Sequence, residues 1–121
     1  MRMPPDPRPR TRDEGEGHRL VGQRCVDCGA VNATARARCP DCRGELIEAP
    51  FGPGGHVWSA TVVRIPVPGR RPPYTVAYVD LDEGPRVLAH VAGVTEAPVP
   101  GTAVRLTGSN EHGDVMVEVA S

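Results

Sequence analysis

Lysine is missing from this chain: all 14 basic side chains are arginine. A Schiff-base lysine and a phosphate-loop lysine are therefore excluded. Aromatic residues are scarce at 3%, against 39% hydrophobic residues overall, so the available core is modest and largely valine. An excess of positive charge is also lacking, because 14 basic residues face 15 acidic ones and the net charge is −1. Non-specific nucleic-acid binding ordinarily needs that excess. No apolar run is long enough to span a bilayer, and no signal-peptide core follows the first residues. The expectation is a cytoplasmic protein without a membrane partner, in a compartment where thiols stay reduced. No serine sits in a nucleophile elbow and no glycine-rich phosphate loop is present. Together these absences argue against an independent enzyme.

Glycine and proline, by contrast, number 14 each and fall between short apolar runs. That pattern predicts short strands joined by tight turns. At 121 residues the chain is one ordinary domain or two very small ones. Residues 1–17, MRMPPDPRPRTRDEGEG, hold four prolines and no periodic apolar pattern, and read as a disordered or extended arm in solvent. Arg2, Arg8, Arg10 and Arg12 lead it, followed by Asp13, Glu14 and Glu16.

Residues 18–52 form a cysteine module with a strand at RLVGQRC and another near GELIEA. So short a segment cannot bury enough apolar surface to fold unaided and needs a staple. Residues 53–121 alternate with period 2, the mark of half-buried strands. Val57, Ser59, Thr61, Val63 and Ile65 are expected on one face of the first strand, and Trp58, Ala60, Val62 and Arg64 on the other. Thr75, Ala77, Val79 and Leu81 share a face of the second, and Val87, Ala89 and Val91 of the third. Val104 and Leu106, then Val115, Val117 and Val119, complete the series. Five such strands suit a closed antiparallel barrel, which disposes of exposed edges. The predicted class is all-β: a small zinc ribbon followed by a five-stranded OB-type barrel. An SH3-like barrel has the same strand count.

All four cysteines occur as two Cys-x-x-Cys pairs, Cys25/Cys28 and Cys39/Cys42. Two such turns each deliver two thiolates, the set that one tetrahedral Zn²⁺ takes at about 2.3 Å. Gly29 and Gly44 stand where a knuckle backbone tends to need positive φ. Arg24, Arg36, Arg38 and Arg43 are placed to offset the negative charge that four thiolates leave around a divalent ion. Rubredoxin-like iron uses the same ligands. A thioredoxin-type site is disfavoured, since it expects a single pair at a helix N-terminus. Four protein ligands leave no open position for a catalytic water, so the ion is expected to be structural.

His18, His56, His90 and His112 lie one to a segment, and Asp80, Asp82 and Glu83 read as turn chemistry. The loop PGRRPP puts Arg70 and Arg71 at a proline-stiffened tip. It is either a solvated hairpin or a basic tip for a phosphate-bearing ligand or for an acidic partner surface.

The stretches QRCVDCG, ARCPDCRG, GHVWSATVVRIPVPGRRPPYTVAYVDLDEGPRVLAHV and PVPGTAVRLT occur in that order. Over residues 18–119 the chain resembles the acyl-CoA-associated family with a rubredoxin-like zinc ribbon and an OB-fold. The resemblance implies a non-catalytic companion of a thiolase-superfamily enzyme, in a hetero-oligomer, that helps hold the acyl-CoA ester. Such enzymes include thiolases, acyl-CoA synthases, acyltransferases and retro-aldolases of sterol side chains. It assigns Cys25, Cys28, Cys39 and Cys42 as zinc ligands and no catalytic residue. Family members often begin with an aromatic-bearing helix, whereas here the segment is TRDEGEGHRL, with two glycines and no aromatic. The competing reading is a single-stranded nucleic-acid binder using Phe51, Trp58, Tyr74 and Tyr78 as stacking platforms, which the near-neutral charge disfavours.

Overall fold

Within residues 8–15 and 17–120, which the computed structural model describes, every regular element is a β-strand. The first four are β1 (Arg10–Asp13), β2 (His18–Cys25), β3 (Val31–Asn32) and β4 (Leu46–Phe51). β2 is the spine of this sheet. One edge pairs β1 and then β3, and the other pairs β4 from Leu20↔Phe51 to Cys25↔Leu46.

Part of the arm expected over 1–17 is therefore not a solvated tail. Arg10–Asp13 is an edge strand, because β2 leaves backbone groups unpaired on that side and β1 satisfies them. Thr11 and Ser109 share a hydroxyl hydrogen bond of 2.7 Å, and Arg10 and Arg12 reach Glu48 at 4.0 and 3.8 Å. The turn into β2 is closed by Glu14 N–H donating to Gly17 O. The segment TRDEGEGHRL thus forms the arms and turn of a β-hairpin. Residues 1–7 and 16, the rest of the expected arm, lie outside the described residues.

The remaining strands are β5 (Gly54–Val63), β6 (Tyr74–Leu81), β7 (Arg86–Val91), β8 (Ala103–Ser109) and β9 (Val115–Val119). They close into a barrel in the order β5-β6-β7-β9-β8, with β8 returning to β5. β7 and β9 run parallel and all other pairs antiparallel. This Greek-key order is that of an OB-fold, which separates it from the SH3-like alternative.

The interior faces of β6, β7 and β8 hold the expected residues, with Thr75, Ala77, Val79, Leu81, Val87, Ala89, Val91, Val104 and Leu106 all buried. On β9, Val115 and Val117 are buried but Val119 is exposed at the strand end. The first strand departs from the alternation. A β-bulge between Val57 and Ser59 shifts the register, so Val57 pairs with Val79 but Ser59 with Tyr78 and Ala60 with Ala77. One extra residue flips the parity of the remainder of the strand. Val57 and Ala60 face the core, whereas Thr61 and Ile65 are exposed.

The ribbon and the barrel share one core: Leu20, Ala49 and Phe51 belong to the same buried cluster as the barrel valines. Only Gly52 and Pro53 separate β4 from β5. This joint is pinned by Arg19 donating to Gly52 O and by Leu106 N–H donating to Pro53 O at 2.8 Å. The Phe51 ring fills a slot made by two glycines, since a Cβ at Gly22 or Gly84 would approach it to 2.9 Å. Phe51→Ala is expected to cost about 3–5 kcal/mol in urea denaturation of the metal-loaded protein. Hydrogen exchange should rise in β4 and β8 together, because the ring belongs to both layers.

Candidate functional site

Two turns of the same construction carry the cysteines. Cys25 N–H donates to Ala30 O and Gly29 N–H to Cys25 O; Cys39 N–H donates to Gly44 O and Arg43 N–H to Cys39 O. The spacings are equal, so the two knuckles share one hydrogen-bond pattern. Positive φ falls one residue after each second cysteine, at Gly29 (φ 78) and Arg43 (φ 63). The expectation for Gly44 is thus corrected. Its small size serves close approach instead, since a Cβ there would lie 2.3 Å from Asp27 Oδ2 and 3.0 Å from Cys25 Sγ.

Each knuckle places one sulfur inside and one outside: Cys25 and Cys39 are buried, Cys28 and Cys42 exposed. The four Sγ atoms lie within 4.8 Å of one another, with Cys25–Cys42 at 3.5 Å and Cys28–Cys39 at 3.6 Å. Four sulfurs bound tetrahedrally at 2.3 Å would stand roughly 3.8 Å apart, so the set is clustered for one metal ion. The thiols are free and not disulfide-bonded. The Cys28 amide, donating to Cys25 Sγ, draws the Cys25 thiol down to about 7. At Cys42 the Gly44 amide acts in the same direction, but the neighbouring thiols outweigh it and push that group up to about 12. Crowded thiols resist losing the last proton, and a divalent cation removes that resistance. A bound ion would supply a rigid tetrahedral crosslink, with all four positions taken by protein. Of the arginines expected to offset the charge, Arg24 lies over the Phe51 ring at 5.6 Å.

The Arg70/Arg71 tip is more constrained than an open hairpin. Arg70 forks onto Asp114, with Nε–Oδ2 at 3.0 Å and Nη2–Oδ1 at 2.6 Å. Asn110 Nδ2 donates to the same carboxylate at 3.1 Å, His90 Nε2 stands 3.5 Å from it, and Arg8 lies 3.8 Å away. The Tyr74 ring stacks on His90 at 5.3 Å. The Arg70 fork holds Asp114 below the usual carboxylate range, and burial pushes His90 below its ordinary value. Arg71 is exposed beside an open depression of about 300 Å³, whose lining includes Tyr74, His90 and His112. The sequence sets His90 and His112 in separate segments and gives no sign of a role for Asp114. Only the β7–β9 pairing brings them together, and the Asn110–Asp114 turn aims the carboxylate. His56 lies apart from them near Asp82, at 3.7 Å, and His18 packs beside Gly108.

Residues 12–48 match the family described as the ChsH2 rubredoxin-like zinc ribbon domain, and residues 48–109 that of the ChsH2 C-terminal OB-fold domain. The chain belongs to the ChsH2 zinc-ribbon and OB-fold family. It is 37% identical over 78 residues to a DUF35 domain-containing scaffold protein of Methanothermobacter thermautotrophicus, covering 61% of this chain and 59% of that one. It is 33% identical over 81 residues to the benzoylsuccinyl-CoA thiolase subunit BbsA of Thauera aromatica, covering 66% and 56%. The chain therefore spans less than two thirds of the length of these relatives. Among solved structures, the Ltp2-ChsH2(DUF35) aldolase superposes with a TM-score of 0.70 at 28% identity, over 85% of this chain and 86% of that one. The ChsH2-type ribbon match contains all four cysteines, so the clustered thiols fit the zinc of that domain.

Elemental analysis should find one zinc per chain, with Cys25→Ser or Cys39→Ser losing at least about nine-tenths of it at micromolar metal. The red absorbance of a four-cysteine iron centre would instead assign iron. Chelation should melt the ribbon before the barrel. Asp114→Asn is expected to cost roughly 1–3 kcal/mol at pH 7, because the carboxylate is only 10% exposed and accepts the Arg70 fork. Asp114 has a depressed value in the fold, so its contribution is present above the unfolded carboxylate range. It is lost as pH falls through the folded value, and the two proteins should converge in denaturation midpoint once the pH lies below the usual carboxylate range and below that folded value.

Proposed function

We propose that the chain is a non-catalytic accessory subunit that binds and completes a thiolase-superfamily acyl-CoA enzyme in the cytoplasm. The partner is a thiolase, an acyl-CoA synthase or acyltransferase, or a sterol side-chain retro-aldolase. The carrying observation is the joined pair of ribbon and OB barrel with a metal site that four cysteines already saturate. Such a site rigidifies but leaves no open position for substrate. The naming of relatives as a scaffold protein, a thiolase subunit and part of an aldolase supports the same role. In this reading residues 18–52 are the ribbon unit and 53–121 the barrel unit, with Cys25, Cys28, Cys39 and Cys42 as the zinc ligands. Arg71, beside the Asp114-anchored Arg70, is the side chain available to a CoA phosphate or an acidic partner group. No helix among the described residues is long and apolar enough to cross a membrane.

Co-expression with a thiolase-superfamily enzyme encoded beside it should yield a stable hetero-oligomer, and the isolated chain should turn over no acyl-CoA. If the tagged chain leaves that enzyme behind and its activity is the same with or without the chain, the reading fails. A salt-dependent titration with oligonucleotides would favour the nucleic-acid reading instead.

A further inference from the structure

The chain has four aromatic side chains, and it leaves two of them side by side on the surface. Trp58 is 52% exposed, Tyr78 47% and Leu88 49%. Ser59, next to Trp58, pairs with Tyr78, and Tyr78 pairs with Leu88, so the three residues lie on adjacent strands of one outer barrel face. Trp58 sits at the β5 bulge, a device that re-aims a side chain out of the regular pleat. Its ring is held before anything binds. The Arg86 guanidinium lies 3.9 Å from its centroid, and Tyr78 meets it edge-on at 6.1 Å and 74°. Arg86 is itself fixed by Asp80 through hydrogen bonds of 2.7 and 3.2 Å. Shallow grooves of about 120 Å³ flank the patch, one beside Tyr78 over Thr61 and Val76, the other between Leu88 and Pro9.

Tryptophan, tyrosine and arginine are the residue types that dominate protein interfaces, and pre-ordered anchors lose little entropy on binding. The charges at the border of the patch, Asp80 and Arg86, are spent on each other. Among the described residues the border of the patch is thus a charge-neutral pair, with Arg8 of the flanking groove beside Asp114, and an uncharged, apolar surface is the complement it fits. We infer that the outer face of β5, β6 and β7, centred on Trp58, is where the acyl-CoA enzyme docks, through an apolar depression that receives the indole. This rests on the accessory-subunit reading and adds the surface that carries it.

Trp58 is the only tryptophan, so 5-fluorotryptophan labelling gives a single ¹⁹F resonance. In complex with the thiolase-superfamily enzyme encoded beside the chain, that resonance should shift and lose its solvent isotope effect. Trp58→Ala should weaken the complex at least about 30-fold, and Leu88→Glu at least about 10-fold. Ile47→Ala, an exposed apolar change on the ribbon, should alter it less than about 2-fold. All three variants should keep a cooperative unfolding transition and the parent's zinc content, with Trp58→Ala losing only the small contribution of its ring contacts. If the parent binds the enzyme and both face variants bind equally well, the docking face is overturned and the subunit reading stands. If the parent does not bind the enzyme at all, the subunit reading falls and takes the face with it. Salt-dependent quenching of Trp58 by oligo(dT), or a dimer of this chain abolished by Trp58→Ala, would give the face to another occupant and overturn the proposal.

Discussion

Four sulfur atoms gathered within 4.8 Å set the constraint on which the rest of the ribbon depends. Cys25 is the last residue of β2, and its strand partner, Leu46, is the first of β4. A metal crosslink at that end therefore holds the register of both strands. Further along the same ladder stand Leu20 and Phe51, which leave the ribbon and enter the barrel core. Burying side chains of this size is worth about 1.5–3 kcal/mol each, which a ribbon of this length could not gain alone. The clip and the shared core thus depend on each other. One fixes where the strands lie, and the other supplies the hydrophobic stabilisation.

The barrel solves its own problem with small residues. Ala77 pairs with Ala60 on one side and Ala89 on the other, so three alanines lie abreast on adjacent strands. Valine and leucine fill the space opposite. Closure through the parallel β7–β9 contact leaves no open edge, which suits a chain with few aromatics to cover one. The polar groups show the same economy. Asp114 takes Arg70, Asn110 and His90 around one carboxylate, and Asp80 takes Arg86. The Asp114–His90 pair is thereby occupied in joining the tip of the β5–β6 loop to the turn before β9.

Much of this was legible along the chain because its signals are local. Cysteine spacing foretold the clip, and period-2 alternation foretold five strands and the inward residues of β6, β7 and β8. The family-like order of motifs pointed to the ribbon–barrel pair. What escaped were features that depend on which strands meet. The bulge at Trp58 reverses the expected faces of β5, and no residue type announces it. Arg10–Asp13 has no apolar pattern, yet it pairs because β2 presents a free edge. Arg43, not Gly44, adopts the left-handed backbone, since the second knuckle copies the hydrogen bonding of the first.

The amino-acid sequence by itself determined the ligand set, the strand content and the residues that fill the barrel, because each arises from chemistry repeated at short spacing. Only the tertiary structure decided the partners of charge and the surfaces left open. Arg70 and Asp114 lie 44 residues apart and meet through barrel closure. Trp58, Tyr78 and Leu88 become one patch only when three strands align. Spacing along a chain says nothing about distance across a barrel, and it is across the barrel that these groups act.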